Sequence, residues 1–330
     1  MGDFAYVTNI ASNSVSVLDT ATNAVVATTP LATQTLTGED GSFPVSIALT
    51  PDGKRAYITI MLDSGNAVSV LDTTTRTVTA KIPLTSSPSM IMGIALTPDG
   101  KHAYVATSGP GSGGTVIVLD TAANTVAAKI PADDMPMNLA ITPDGSRAYV
   151  TTVAGVSVID TASNKIVATI QIGEGPKPGA GRGIAITPNG QTAYMTTWSL
   201  NTVSVIDTIT NKVRSTVEVG VQPVEVAVAP DGQRVFVTSE GSSNVSVIDT
   251  ATNTVAAVVD VGTDPRGVAI TAGGQRAYVT NAVSSSPSGP ENVAGKVAVI
   301  DTATNTVVDE VTVGIKPSTI AIGPSPAQPR

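Results

Sequence analysis

Glu225, Arg182, Arg266 and Lys316 are the side chains of this sequence whose types and placement most readily suggest chemistry. A guanidinium fork matches the geometry of a carboxylate or phosphate, so Arg182 and Arg266, with Lys316 nearby, read as a clamp for an anionic group. The plainer reading is that they neutralise Glu225, Asp264 and Glu174 in the same part of the molecule. Glu225 is the candidate general base or oxygen ligand. Asn138, with the adjacent acids Asp133 and Asp134, adds hard oxygen donors of the kind calcium or magnesium takes, although two neighbouring loop acids often do no more than face water. Met90, Met92, Met135 and Met137 offer either a soft Cu(I) site or an apolar wall for a ligand, with gap-filling as the simpler role. Trp198 is the sole tryptophan, and a lone amphipathic ring outside any repeat pattern marks a contact as readily as a packing residue.

Several chemistries are poorly served. Cysteine is absent, which removes disulfides, thiolate metal sites and a thiol nucleophile. The one histidine, His102, ends a T-P-D-G-K-H turn, so neither a Ser-His-Asp arrangement nor a histidine metal cluster can be assembled. Gly109 to Gly114 precedes no helix and reads as a flexible loop, not a phosphate cradle. The formal net charge of −8 and pI of about 4.6 repel polyanions, and a single tryptophan with few cations is a poor groove for single strands, so no nucleic-acid partner is expected. No apolar run approaches the roughly 20 residues of a membrane helix, so no membrane insertion is expected. The start Met1-Gly2-Asp3 is compatible with an exported protein whose signal has been removed, a reading favoured over a cytoplasmic one, and a monomer is expected.

The elements that position these residues are repeats. The string V-x-V-[IL]-D-T ends at Asp19, Asp72, Asp120, Asp160, Asp207, Asp249 and Asp301, a mean spacing of about 47 residues. Each copy holds four short β-branched runs separated by turn chemistry. The first turn reads T-P-D-G or a close variant (Thr50 to Arg55, Thr97 to His102, Thr142 to Arg147), and the third reads D-T-x-x-N, in which Asp and Asn side chains can bond the turn's own backbone. The strings Ala5-Tyr6-Val7-Thr8-Asn9 and Ala277-Tyr278-Val279-Thr280-Asn281 make the repeats resemble those of the YVTN family over nearly the whole chain. That resemblance implies a β-propeller and says little about chemistry.

The expected fold is therefore all-β: one seven-bladed β-propeller domain with four-stranded antiparallel blades near 4–31, 45–84, 93–131, 138–172, 183–219, 225–261 and 267–313. A closing strand at about 318–322 should pair beside Tyr6 to Asn9 and remove two sheet edges, leaving the tail from Pro324 onward unpaired. The two constant turns share one face. Nearly all length variation falls in the links on the other face, the usual place for function.

Three rings follow from reading the copies across one another. The first holds Val45, Met92, Met137, Arg182, Val224, Arg266 and Ser318; the second holds Ser46, Gly93, Asn138, Gly183, Glu225, Gly267 and Thr319. The third is alanine in every copy (Ala48, Ala95, Ala140, Ala185, Ala227, Ala269, Ala321) and reads as packing, as do the six tyrosines with Phe236 at one shared position. The first two rings, with Trp198, are the candidate site. Its expected occupant is a small anionic ligand, or a protein or glycan seated on the variable face. The alternative is an enzyme of lactonase, lyase or isomerase type with Glu225 as base or metal ligand and Arg182 with Arg266 as anion clamp. Lactonase propellers hold calcium with acidic and amide ligands, which Glu225 and Asn138 could supply. Propeller lyases that need a histidine at the channel are not matched.

Overall fold

Strands that are apolar at nearly every position must be buried on both faces, and a radial stack of sheets is one way to do this. The structure, a computed structural model, describes residues 3–31, 42–86, 89–108, 113–132, 135–173, 181–282 and 293–324. These form seven four-stranded antiparallel sheets, with no helix among the described residues. In the first blade the order from the centre outward is Pro317–Pro324, Asp3–Asn9, Ser14–Asp19, Ala24–Pro30. The ring closes as the sequence predicts, with Ala321 opposite Tyr6 and Ile320 opposite Val7. The pairing runs further than expected: Pro324 lies opposite Asp3, so the predicted unpaired tail begins one residue later, and residues 325–330 lie outside the described set.

Period-two alternation divides each strand between two neighbours. In the third blade, Ala103 and Val105 pack toward the second blade while Tyr104 and Ala106 pack toward the fourth. Seven such inter-blade cores hold the ring together, and each takes one residue of the alanine ring, from Ala48 in the first of these to Ala321 in another. The outermost strands instead alternate buried and exposed residues, as edge strands facing water do.

The turn chemistry also joins neighbouring blades. The last residue of D-T-x-x-N sits in the left-handed region at Asn23, Asn124, Asn164, Asn211, Asn253 and Asn305, with φ between 52° and 54°, a conformation asparagine tolerates well. Its side-chain oxygen accepts the tyrosine hydroxyl of the preceding blade: Tyr57 to Asn124 at 3.0 Å, Tyr104 to Asn164 at 2.8 Å, Tyr149 to Asn211 at 2.8 Å, Tyr194 to Asn253 at 2.9 Å and Tyr278 to Asn23 at 2.6 Å. Two blades break the pattern. Opposite Tyr6 the turn carries Arg76, and opposite Asn305 the sixth blade carries Phe236, which leaves the buried Asn305 Oδ1 without a donor. Phe236→Tyr supplies the missing hydroxyl, and urea unfolding is expected to show a gain of about 1 kcal/mol. A loss of stability in that variant would mean that the ring pocket cannot accept the extra oxygen.

Candidate functional site

The site residues are set by a break in the innermost ladders. In six blades the pairing of the first strand with the second shifts register near the channel entrance, as between Pro44 and Ile47, Gly181 and Ile184, Pro223 and Val226, and Pro265 and Val268. Such a bulge lifts residues out of the ladder and re-aims their side chains. The lifted residues are those of the first two rings. In the fourth blade the innermost ladder begins only at Leu139, which frees Met137 and Asn138 in the same way.

A freed backbone group inside a protein needs a partner. The threonine two residues after the shared Tyr or Phe position provides it. Its hydroxyl accepts the N–H of the second-ring residue in its own blade and donates to the carbonyl of the first-ring residue in the next. Thr151 thus bonds Asn138 N and Arg182 O at 2.9 and 2.8 Å, Thr196 bonds Gly183 N and Val224 O at 2.8 and 2.9 Å, and Thr238 bonds Glu225 N and Arg266 O at 3.0 and 2.6 Å. Thr59 and Thr280 act alike toward Met92 O and Ser318 O. Two blades vary the device. Where alanine (Ala106) replaces threonine, Gly93 N donates straight to Met137 O at 2.8 Å. In the first blade Thr8 accepts Thr319 N, and Thr319 Oγ1 reaches Val45 O at 3.2 Å. The girdle is continuous around all seven blades.

Inside it lies a cavity of about 280 Å³. Val45, Met92, Met137 and Val224 of the first ring line it, joined by Met61, Met90 and Ile91, so the sector formed by the second to fourth blades is largely apolar and rich in thioethers. Arg182, Arg266, Asn138 and Glu225 line the rest, together with Ser46, Ser318 and Thr319.

Glu225 and Asn138 stand two blades apart and bond each other across the blade between them, Asn138 Nδ2 to Glu225 Oε2 at 2.9 Å. Glycine makes this possible. A Cβ on Gly183 would sit 2.5 Å from Glu225 Oε1, and one on Gly93 would overlap Asn138 Oδ1. Each side chain is braced by its own strand, through Leu139 N to Asn138 Oδ1 at 2.8 Å and Val226 N to Glu225 Oε1 at 3.2 Å. Burial pushes the Glu225 carboxyl up to about 7, against the two hydrogen bonds that favour the charged form. The carboxyl keeps some accessible surface because it faces the cavity.

The two arginines part company. Arg266 is neutralised, with its NH2 3.2 Å from Asp264 and 3.9 Å from Glu240. Asp264 is raised above the usual carboxylate range, because burial outweighs the pull of Arg266 and Glu240 adds to the rise. Arg182 has no acidic partner among the described residues. Its guanidinium lies over Trp198, 5.7 Å from the ring centroid, and its buried Nε has no hydrogen-bond partner. Trp198 Nε1 in turn donates to Glu240 Oε1 at 2.8 Å, so one chain of contacts links Arg182, Trp198, Glu240, Arg266 and Asp264 across three blades.

Measured against the sequence, Glu225, Asn138, Arg182, Arg266, Met92 and Met137 meet at one cavity, and Trp198 stands behind Arg182. The expected neutralisation applies to Arg266 through Asp264, with Glu240 in place of Glu225. Lys316 is not brought to the mouth: its side chain is exposed and absent from the cavity lining, its backbone taking the left-handed region at φ 52° with its carbonyl accepting Ile10 N. As oxygen ligands Glu225 and Asn138 are engaged with each other, the amide presenting its nitrogen to the carboxylate. Asp133, Asp134 and Glu174 lie outside the described residues. Sequence reasoning missed the threonine girdle, although the repeated threonine was in view, and missed Met61, near the end of the strand Arg55–Leu62, and Glu240, which holds the place of Trp198 in the equivalent link of the next blade.

No family model matches the chain, and no curated protein matches it. Among solved structures it is similar to a chain of hydrazine synthase from Kuenenia stuttgartiensis, at TM-score 0.70 and 22% identity over 90% of this chain and 95% of that one. It is similar to a functionally unknown protein from Desulfotomaculum acetoxidans, at TM-score 0.72 and 18% identity over 97% and 99%. It is also similar to the dihydro-heme d1 dehydrogenase NirN, at TM-score 0.66 and 16% identity over 96% and 74%. At these identities the likeness shows the fold, a seven-bladed β-propeller, and the chemistry must be argued from the site.

Glu225 gives the site a pH signature. Its folded-state value lies above its unfolded one, near 4.5, so the folded protein holds the extra proton between the two. That stabilisation is complete below about 4.5 and is lost as pH rises through about 7. The stability of the wild type relative to Glu225→Gln is expected to fall by about 3 kcal/mol across this window and to stay level above it. Denaturant midpoints at matched pH values measure it, and a difference independent of pH would show that the carboxyl is not buried as described.

Proposed function

We propose that this protein is a YVTN-repeat propeller that binds a small ligand at the channel mouth of its variable-loop face. The ligand has an apolar body and a carboxylate. The single observation that carries this is Arg182: it lines an apolar cavity with no acidic partner among the described residues, while the neighbouring Arg266 is neutralised by acids. A guanidinium with no acid beside it gains charge-assisted hydrogen bonds from a bound carboxylate, each worth about 1.5–3 kcal/mol. Ligand pockets commonly combine an apolar wall with a few polar groups that set orientation, and here the methionine side is the wall while Arg182, Asn138 and Glu225 are those groups.

A second reading has its own support. Phe43, Met90, Met135, Leu200, Val221 and Val293 are exposed at strand ends and links of the variable face, one from each of six blades, which suits the rim of a protein contact. Calcium is a lesser candidate, since it would have to replace the Asn138–Glu225 bond.

Trp198 is the only tryptophan and touches Arg182, so intrinsic fluorescence reports on the site. Phenylacetate is expected to change the Trp198 emission saturably, and phenylacetamide is not. Arg182→Gln should weaken phenylacetate at least tenfold, about 1.4 kcal/mol. Equal responses to acid and amide, or an unchanged affinity in the variant, would contradict the reading.

A further inference from the structure

We propose that the channel mouth is a one-base proton-transfer site for small 2-oxo carboxylates, in which Glu225 moves a proton between carbon and the adjacent carbonyl oxygen. The inference rests on the binding reading above and assigns a reaction to the same site.

The geometry around Glu225 is that of a positioned acid–base group, and structural packing alone does not account for it. Packing would be served by the small residues found at the equivalent places, Gly93, Gly183 and Gly267. Instead two of these glycines clear space for Asn138 and Glu225. The carboxylate accepts Val226 N on one oxygen and Asn138 Nδ2 on the other, each oxygen keeping acceptor capacity, and Glu225 lines the cavity. Asn138 is a positioning residue, held by Leu139 N and by the Thr151 hydroxyl.

Among the described residues Glu225 is the only carboxyl lining the cavity, and no histidine, lysine or tyrosine joins it. The charged groups around it are Arg182 on the preceding blade and Arg266 on the following one, with Asp264 and Glu240 engaged by Arg266. A lone acid–base group completes by itself a reaction in which the proton it removes is the proton it returns. Keto–enol interconversion of a 2-oxo acid is of this kind. The C3–H proton passes to the Glu225 carboxylate, and the C–H electron pair becomes the C2=C3 bond. The carbonyl pair moves to oxygen, and the carboxyl then returns its proton to that oxygen. Nothing is oxidised or reduced, and no second reactant is needed. Arg182 suits the substrate because the carboxylate it would hold is one bond from the carbonyl where charge develops. The methionine wall suits an apolar substituent on C3.

The test uses phenylpyruvate as probe, with ultraviolet absorbance following the approach of enol to keto and Trp198 fluorescence following binding. The wild type is expected to accelerate the approach at least 100-fold over Glu225→Gln while both bind the probe, in line with the effect of a positioned acid–base group. The rate should rise with pH through about 7, since the charged carboxylate is the base. Asn138→Ala should move that limb to higher pH by removing a bond that favours the charged form, a change that loss of packing alone would not produce. Binding without acceleration, or equal rates in wild type and Glu225→Gln, would overturn proton transfer and leave the binding reading standing. No Trp198 response to phenylpyruvate or to phenylacetate would overturn both.

Discussion

The structure depends on a ring of threonine hydroxyls. Bulged inner strands free backbone N–H and C=O groups at the crowded centre of the ring, where no ladder partner exists for them. One hydroxyl per blade, accepting from its own strand and donating to the next, satisfies both groups and ties neighbouring blades together. The two blades that vary the scheme close the same circuit, one by a direct backbone bond from Gly93 and the other through Thr319. Because the girdle carries the backbone, the side chains it presents are free to differ from blade to blade. A scaffold of near-identical repeats can thus hold an asymmetric site.

The asymmetry is chemical as well as geometric. The second to fourth blades give the cavity its methionines, while Arg182, Glu225 and Arg266 come from the fifth to seventh, with Val224 among them and Asn138 beside Met137. Burial that would be costly for an isolated carboxylate is eased by placing Glu225 between two donors and letting it hold a proton near neutrality. The opposite face works differently. There Asp52, Asp99 and Asp144 accept first from a threonine hydroxyl and then from a backbone N–H, which holds their carboxyls below the usual range and stiffens the turns. Carboxyls are thus solvated and held low on one face, while the buried carboxyl at the channel mouth is pushed up.

Much of this was legible in the repeats. The Asp19 to Asp301 series sets the number of blades, and the inner-strand pattern repeated at Pro317–Pro324 marks the strand that pairs with Asp3–Asn9. The ring positions followed from register, so Glu225, Asn138, Arg182 and Arg266 could be named together. Their partners could not be read this way. Period and register place a Cα, and they say nothing of how far a long side chain reaches: Glu225 spans a whole blade to Asn138, Arg182 turns to Trp198, and Lys316 points to solvent. Glu240 takes the place in its four-residue link that Ile10 and Trp198 take in the first and fifth blades, and equivalence of place does not tell which neighbour a side chain there will meet, so its position between Trp198 and Arg266 was not read. The role of the repeated threonine was hidden for the opposite reason, since constancy across all but one blade made it look like part of the strand alone.

Thr238 offers the most direct test, because its hydroxyl holds both the backbone of Glu225 and that of Arg266. Equilibrium unfolding of Thr238→Val and Thr238→Ser would compare a side chain of the same shape without the hydroxyl to one that keeps it. If the girdle carries the inner backbone, the valine variant loses about 2–3 kcal/mol, having left a buried donor and acceptor unpaired, and serine recovers most of it. A valine variant as stable as the wild type, or a serine variant as unstable as valine, would contradict the account.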